Sequence, residues 1–471
     1  MEMKKKAFLL PLLLAVALLL TACGEVVPKT PKTITLWHYY NADIKSRFDD
    51  LVQTFNETVG AKNGILVDAY SLGDVNELAD AVYAAANHDV GAQELPDIFS
   101  AYSDSALRVD QLGAVATLDD YFTADELALY RPEFIEDGRF TADGSLKIMP
   151  VAKSTELSFV NLTAYEKFAA ATGASSDALS TWEGIVETAK AYYDWSGGKA
   201  FFGMDSMANY MILGAKQLGE DIFTTGADGR TSLSLSPKTA RKLWDHFYVP
   251  YVSGYFTAVG RFRSDDMKSG NIIMFVGSNS SASFFPKTIE TGKDSSYETE
   301  AMVRPYPHFR GRDLYCVQQG AGMVVAKSDP ETEKACVLFL KWLTAPEQNA
   351  PFAAATSYLP VQNAALSHEK TMEILNLTDE TDILFQTSRA VYEMADGYAL
   401  YASKPFAKSF DARRVLEKSM LTRAQDARAA LGEQVAAGGD RAALLAEACG
   451  TENFELWYQT LITEIGGLLG E

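Results

Sequence analysis

The chain of 471 residues has 62 acidic and 42 basic side chains, which give a formal net charge of −20 at pH 7. This length allows two or three domains, and an apolar content of 47% is enough for substantial cores. The acidic balance argues against nucleic acid or an anionic membrane surface as the partner. It leaves open a small-molecule site, because a cleft can carry its own local charge.

The amino terminus has the pattern of a secretory signal, predicted over residues 1–22. Lys4, Lys5 and Lys6 precede an apolar run over 7–20 that is too short for a permanent membrane span. The run ends at LTACG over 20–24, which resembles a bacterial lipobox with Cys23 as the lipidated residue. Lipidation would anchor the protein on the extracytoplasmic face of the cell membrane, with 23–32 as a tether. A signal without lipidation and with a chance cysteine is the alternative.

Three cysteines remain if Cys23 is lipidated, namely Cys316, Cys336 and Cys449. Their number is odd, no C-x-x-C occurs, and no histidine lies at a metal-like spacing from them. The pattern favours buried free thiols over a disulfide framework or a zinc site. Neither a metal nor a cofactor is predicted.

Strand and helix patterns alternate through the first part of the mature chain. The predicted order is a strand over 33–37, a helix over 44–55, a strand over 65–70, a helix after Asp74, a strand over 96–100 and a helix over 106–112. Such alternation predicts an α/β fold with parallel strands, and ligands of such sheets bind at the carboxyl ends of the strands. That rule selects residues 38–41 and 101–104. Each aromatic among them could instead pack on its own domain.

The stretch over 144–170 predicts a passage between two compact units. Short apolar strands are predicted over 146–149 and 157–160, and Pro150 forces its predecessor towards extended backbone. Polar residues lie between the two strands, over 153–156, and Asn161 then caps a helix. A polar crossing of this kind is where a ligand cleft can form, although an ordinary strand-loop-helix unit explains the same pattern.

The second half of the chain offers further candidates. STWE over 180–183 begins a helix with capping-box spacing, and Trp182 is either a packing residue of that helix or a platform at the cleft. A proline-rich segment over 301–307 predicts a second crossing. A glycine-led strand follows from Gly320, Tyr358 occupies a turn, and the tail from 371 onwards is predicted to be mostly helical.

Several of these segments together resemble the extracellular solute-binding proteins of ABC importers, family 1. The segments are ITLWH at 34–38, LPDIF at 95–99, QLGAVATLD at 111–119, KIMPVAKS at 147–154, STWE at 180–183, FLKWLTAPE at 339–347 and SYLPV at 357–361. The resemblance implies a two-lobe α/β fold of the periplasmic-binding-protein type 2. Lobe I would comprise 33–150 and 304–365, and lobe II 151–303 and 366–471, with a hinge between them.

The function implied by this resemblance is capture of a carbohydrate by lobe closure and its delivery to a membrane permease. No catalytic group is expected, and the protein is expected to be a monomer. The positions that match the family's cleft are Tyr39, Tyr40, Asn41, Ser103, Asp104, Ser154, Thr155, Glu156, Trp182, Gly320, Gly322 and Tyr358. Carboxylates and amides suit sugar hydroxyls, aromatic faces suit a sugar ring, and glycines let backbone amides approach the ligand.

Three alternatives stay open at this point. Glycerol-3-phosphate or a polyol could occupy the same fold, since Lys404, Lys408, Arg413 and Arg414 lie near the position where related proteins place a phosphate-binding arginine. The second alternative is an envelope glycosidase, with Asp104 and Glu156 as its pair of catalytic carboxylates. The third is a sensor that presents its ligand to a membrane receptor.

Overall fold

The computed structural model describes residues 31–226, 230–292 and 295–470. The predicted signal, Cys23 and nearly all of the tether lie outside these residues. Lys32 already belongs to the first strand, where it pairs with Ile65. Within the described ranges, no helix combines the length and the apolar character needed to cross a membrane.

Fourteen strands are present in the described chain. They are β1 Lys32–His38, β2 Ile65–Ser71, β3 Ile98–Ala101, β4 Glu156–Asn161, β5 Phe202–Met204, β6 Phe223–Thr225, β7 Thr231–Leu233, β8 Met274–Ser278, β9 Thr288–Gly292, β10 Ser295–Glu298, β11 Ala301–Arg304, β12 Tyr315–Val317, β13 Gly322–Val325 and β14 Ala399–Tyr401. They form two four-stranded sheets and three two-stranded ones.

Helices surround both larger sheets. They are α1 Ala42–Phe55, α2 Ala61–Asn63, α3 Val75–Ala86, α4 Ser103–Asp110, α5 Ala124–Leu127, α6 Pro132–Asp137, α7 Leu162–Thr172, α8 Trp182–Ser196, α9 Met207–Gln217, α10 Pro237–Ser253, α11 Arg263–Lys268, α12 Pro330–Leu343, α13 Pro346–Thr356, α14 His368–Leu375, α15 Ile383–Gly397, α16 Ser409–Ala436, α17 Arg441–Ala448 and α18 Thr451–Leu469. A π-helical turn, Asn56–Gly60, joins α1 to α2.

The first lobe is built on the sheet β13-β3-β1-β2. β1 pairs in parallel with β2 and β3, as the strand-helix alternation predicts, while β13 is antiparallel to β3. The helix predicted after Asp74 begins with a capping box: the Asp74 carboxylate accepts from the backbone N–H groups of Asn76 and Glu77, and the Glu77 carboxylate accepts from the Asp74 N–H. These local bonds fix the start of α3 beside the carboxyl end of β2.

The second lobe is built on the sheet β11-β4-β8-β5. Every residue of β4 is buried, because helices and loops cover both faces of this strand. Asn161 caps α7 as predicted, since its side chain accepts from the Ala164 N–H. The confirmed fold class is therefore α/β with two lobes, each with its own mixed sheet.

Two chain segments cross between the lobes side by side. Met149 pairs with Met323, and Ser154 pairs with Gln319 by two backbone hydrogen bonds of 2.9 and 2.8 Å. Residues 146–149 therefore contribute an isolated bridge and not the strand predicted there. The return towards the first lobe lies after β12, later in the chain than the predicted boundary at 304, because Arg304 pairs with Ser158 inside the second sheet.

The carboxyl-terminal helices extend the second lobe. Trp457 of α18 packs on Trp244 of α10 with ring centroids 5.1 Å apart. The long helix α16 packs on α9 and α10, and its first turns reach the first lobe, where Arg108 lies 4.5 Å from the Phe410 ring. Cys316, Cys336 and Cys449 are free thiols, as predicted, and the first two are buried.

Candidate functional site

A cavity of about 510 Å³ lies between the two lobes. The first lobe contributes the amino-terminal ends of α3 and α4, the second lobe contributes α9, α16 and two loops, and the crossing segment contributes 317–319. The side chains with polar or aromatic groups on its walls include Asp74, Asn76, Tyr102, Ser103, Asp104, Asp137, Asp205, Asn209, Phe223, Arg261, Phe262, Gln318, Gln319, Tyr401, Lys404, Phe406, Phe410, Arg413, Arg414, Glu417 and Lys418. Its volume is in the roughly 300–1,000 Å³ range of small-molecule sites.

The first-lobe wall carries Ser103 and Asp104, directly after β3. The rule for ligands of parallel sheets predicted this position. The Asp104 carboxylate accepts from the Ser105 N–H at 2.7 Å. Burial raises the pKa of Asp104, and the charge of Arg413, from the opposite lobe, partly offsets this effect.

A hydrogen-bonded chain of four side chains lies at the base of the second-lobe wall. Arg413 donates to the Asn209 amide oxygen at 2.6 Å, and the Asn209 amide nitrogen donates to Glu156 at 2.7 Å. Gln319 of the crossing segment donates to the same Glu156 oxygen at 3.3 Å. Asn209 therefore holds one nitrogen of the guanidinium, while the remaining donors of Arg413 stay available on the cavity side.

Glu156 is 3% exposed and has no cation within ion-pair distance in the described chain. Burial raises its pKa from 4.5 to about 7, against the opposing effects of the Asn209 hydrogen bond and the Arg413 charge. A folded-state pKa above the unfolded value means that this group's contribution to stability decreases as the pH rises from about 4.5 to 7.

We expect Glu156→Gln to remove this pH dependence. An amide oxygen can still accept from Asn209 and Gln319, but it has no charge to bury. The Tm of the variant should exceed that of the wild type at about pH 8, and the difference should shrink by roughly a few degrees as the pH is lowered to about 5. A difference that does not change with pH would contradict the assigned titration.

Aromatic side chains of the second lobe flank the cavity. Phe262 is 49% exposed and lies next to Arg261 on a loop before α11. Phe223 and Phe406 pack against each other with ring centroids 5.0 Å apart. Sequence reasoning did not select these rings as ligand platforms, because each is brought to the cavity by its lobe's tertiary packing and not by a local motif.

Charged side chains join the two lobes across the cavity rim. Arg261 of the second lobe donates to Asp74 of the first at 2.7 Å, and Arg414 donates to Asp80 at 3.4 Å. Together with the Arg108–Phe410 contact, these pairs connect the two lobes across the cavity.

The other selected residues lie in four environments. Ser154, Thr155 and Glu156 are buried where the chain crosses between lobes, and the Thr155 N–H donates to the Asn279 side chain at 3.3 Å. Tyr39 and Tyr358 are neighbours in a cluster of phenol groups beside Tyr102, and burial raises the pKa of each. Tyr40 is buried and packs on Phe48 and Phe352, whereas Asn41 is exposed at the start of α1.

The position of Trp182 differs from the prediction that its ring forms a platform at the cleft. It is fully buried in the second lobe, with ring centroids 5.0 Å from Tyr210 and 5.7 Å from Tyr306. The structure thus places it in the core and not on the cavity wall. Its position at the start of α8 is set by Thr181, whose hydroxyl accepts from the Gly184 N–H as the helix cap.

At Gly320 and Gly322, the absence of a side chain is required by close packing of the backbone and not by approach of a ligand. Gly320 has a φ of +95°, and a Cβ there would lie 2.9 Å from Lys153 Cα and closer still to the Ala152 carbonyl oxygen. A Cβ at Gly322 would lie 2.6 Å from the Met149 carbonyl oxygen. Gly320 therefore lets the two crossing segments touch, and Gly322, at the start of β13, lets this strand approach Met149.

Comparison with known proteins identifies relatives of this fold. Residues 50–374 match the family described as bacterial extracellular solute-binding protein. A cyclic α-maltosyl-1,6-maltose binding protein from Arthrobacter globiformis is similar, with a TM-score of 0.63 and 18% identity over 93% of this chain and 99% of the other.

Two further solved structures are similar over comparable lengths. An ABC transporter solute-binding protein from Thermotoga lettingae bound with α-D-tagatose gives a TM-score of 0.66 and 16% identity over 93% of this chain and 100% of the other. UgpB from Mycobacterium tuberculosis in complex with glycerophosphocholine gives a TM-score of 0.65 and 16% identity over 91% of this chain and 99% of the other. Curated protein sequences gave no significant match.

Proposed function

The chain belongs to the family of bacterial extracellular solute-binding proteins, and we propose that it captures a carbohydrate by lobe closure and delivers it to the membrane permease of an ABC importer. The observation that carries this proposal is the cavity between the two lobes, to which both lobes contribute polar side chains. A ligand that contacts both walls stabilises the closed arrangement, which is the state a permease can recognise.

The composition of the walls suits a sugar. Asp104 from the first lobe and Asn209, Gln319 and Arg413 from the second lobe and the crossing are planar polar groups, which pair well with adjacent hydroxyls. Phe262 offers an exposed apolar face, suited to the C–H side of a sugar ring. The sugar ligands named for the Arthrobacter and Thermotoga proteins support the same class of ligand.

A thermal-shift screen with mono- and oligosaccharides tests the proposal. A ligand at about a hundred times its Kd should stabilise the protein by roughly 2.7 kcal/mol. The shift should be lost in Asp104→Ala, which removes a cavity-wall carboxylate whose hydrogen bond with the Ser105 N–H is local to the helix start. If no saccharide shifts the Tm and glycoside hydrolysis is seen instead, the binding-protein proposal fails.

The family's location is extracytoplasmic, and we further propose that the protein is a monomer held at the membrane by a lipid on Cys23. The lipobox-like sequence before Gly24 supports the anchor. Metabolic labelling with a radioactive fatty acid should mark the wild type and not Cys23→Ala, and the variant should be released from membranes. Labelling of the variant at the wild-type level would contradict the anchor.

A further inference from the structure

Positive charge is concentrated on one wall of the cavity in an otherwise acidic protein. The chain has a formal net charge of −20, yet Lys404, Arg413, Arg414 and Lys418 all line the cavity from one segment of the second lobe. That segment comprises the loop before α16 and the first turns of this helix. The second-lobe wall therefore has a local charge opposite to that of the protein as a whole.

Most of the acidic groups around the cavity are already engaged by protein partners. Asp74 pairs with Arg261 at 2.7 Å and Asp137 pairs with Lys153 at 2.6 Å. Asp205 accepts from the Arg263 N–H at 2.9 Å. These carboxylates therefore form ion pairs or hydrogen bonds with residues other than Lys404, Arg413 and Lys418.

Glu417 is also engaged, although its partners are not cations. Its carboxylate accepts from the Met207 N–H at 3.0 Å, the Ala208 N–H at 2.9 Å and the Ser206 hydroxyl at 3.2 Å. It thus caps the amino terminus of α9, where backbone donors favour a negative charge. Among the described residues, it forms no ion pair with Arg413, Arg414 or Lys418 of the same helix.

Three of the four cations that line the cavity from this segment lack a carboxylate partner among the described residues. Arg414 pairs with Asp80, but within the described residues Lys404, Arg413 and Lys418 have no carboxylate oxygen within 4 Å. Arg413 uses one nitrogen on Asn209, which leaves most of its donor fork free. Asp104 and the buried Glu156 are the remaining acids whose charges act on Arg413, and Asn209 lies between Arg413 and Glu156.

We propose that the captured carbohydrate is an acidic saccharide, whose carboxylate or phosphate group is bound by Arg413, Lys404 and Lys418. This inference rests on the proposed function and specifies its substrate class. A planar guanidinium binds a carboxylate or phosphate through two parallel hydrogen bonds, and the two ammonium groups add point charges that tolerate either anion. The neutral part of the saccharide then lies against Asp104 and the aromatic rings of the cavity.

Isothermal titration calorimetry with matched saccharides tests the inference. The probes are glucose, glucuronic acid and glucose 6-phosphate, together with α-1,4-galactotriose, trigalacturonic acid and, as a non-saccharide anion, glycerol-3-phosphate. We expect an acidic saccharide to bind at least about tenfold more tightly than its neutral counterpart, since charge-assisted hydrogen bonds are the strong ones. Raising the salt concentration should weaken the binding of the acidic probe and leave that of the neutral probe nearly unchanged.

Variants locate the anion subsite. The double variant Lys404→Gln, Lys418→Gln should reduce the preference for the acidic probe by about tenfold, and Arg413→Gln should reduce it further. Lys408→Gln is the matched control, because Lys408 lies in the same segment, pairs with Asp411 at 3.8 Å and is not part of the cavity wall. Circular dichroism melts establish that each variant is folded before titration.

The outcomes separate the inference from the proposed function. A preference for uronates alone or for sugar phosphates alone supports the inference and identifies the anion. Equal or tighter binding of neutral sugars overturns the inference while the proposed function stands, as does a preference that survives in both the double variant and Arg413→Gln. Binding of glycerol-3-phosphate without any saccharide overturns both, because the ligand is then not a carbohydrate.

Discussion

Replacement of Trp182 by alanine is expected to cost about 3–5 kcal/mol of stability, because the indole is fully buried among aromatic rings of the second lobe. The loss combines the transfer free energy of the ring with the cavity that remains beside Tyr210 and Tyr306. Ligand affinity of the protein that remains folded should change little, since the ring is not on the cavity wall. Urea unfolding and calorimetric titration at low temperature measure the two effects separately.

Phe262→Ala provides the matched control for this variant. Phe262 is 49% exposed at the cavity, so its truncation should leave the free energy of unfolding within about 1 kcal/mol of the wild type and weaken saccharide binding instead. Trp182→Phe should recover much of the stability lost in Trp182→Ala. If Trp182→Ala keeps wild-type stability and loses saccharide binding, the Trp182 ring contacts the ligand. The arrangement of the two lobes described here is then not the one that binds the saccharide.

Trp182 shows that local sequence can predict a helix but not the direction in which one of its side chains packs. Its helix was predicted from the capping-box spacing of Ser180 and Glu183, and the helix is present, but its cap is the Thr181 hydroxyl one residue later. Whether its ring faces a cleft or a core depends on Phe202, Tyr306 and Phe309, which are distant in sequence. Aromatic residues near a helix start therefore remain ambiguous until the packing of the lobe is known.

The part of the cavity wall that lies at the carboxyl end of a strand could be predicted from the sequence. Ser103 and Asp104 lie at the carboxyl end of β3, and a parallel sheet directs ligands to that edge. Asn209 and Arg413 were harder to find as partners, because the Arg413–Asn209 bond joins two helices that meet only after the second lobe has folded. Arg413 was noted from sequence only as one of several cations near the position of a phosphate-binding arginine.

The point at which the chain returns from the second lobe to the first also could not be predicted from local sequence. Prolines over 301–307 suggested a passage between lobes, but β11 still belongs to the second sheet. The chain turns back only after β12, where Ser154 and Gln319 pair. The pairing of strands within each sheet, and not the local composition, determines where the boundary between the two lobes lies.

Gly320→Ala is expected to destabilise the protein by about 2–5 kcal/mol, from two separate sources. A non-glycine residue at a φ of +95° is strained, and the added methyl group would collide with the backbone at Ala152 and Lys153. Relief of the collision requires the crossing segments to separate, which would move Gln319 away from Glu156 and from the cavity wall. Ligand affinity should therefore fall together with stability.

Gly113→Ala separates these two sources. Gly113 also has a positive φ, +73°, but apart from its two neighbours in the chain no described residue has an atom within 4 Å of the position that an alanine methyl group would take. Its substitution therefore carries backbone strain alone, about 1–2 kcal/mol. The excess loss in Gly320→Ala measures the close contact of the two crossings, and only that variant should weaken ligand binding. Equal losses in both variants, with binding unaffected, would mean that the crossings can move apart freely and that closure does not depend on their contact.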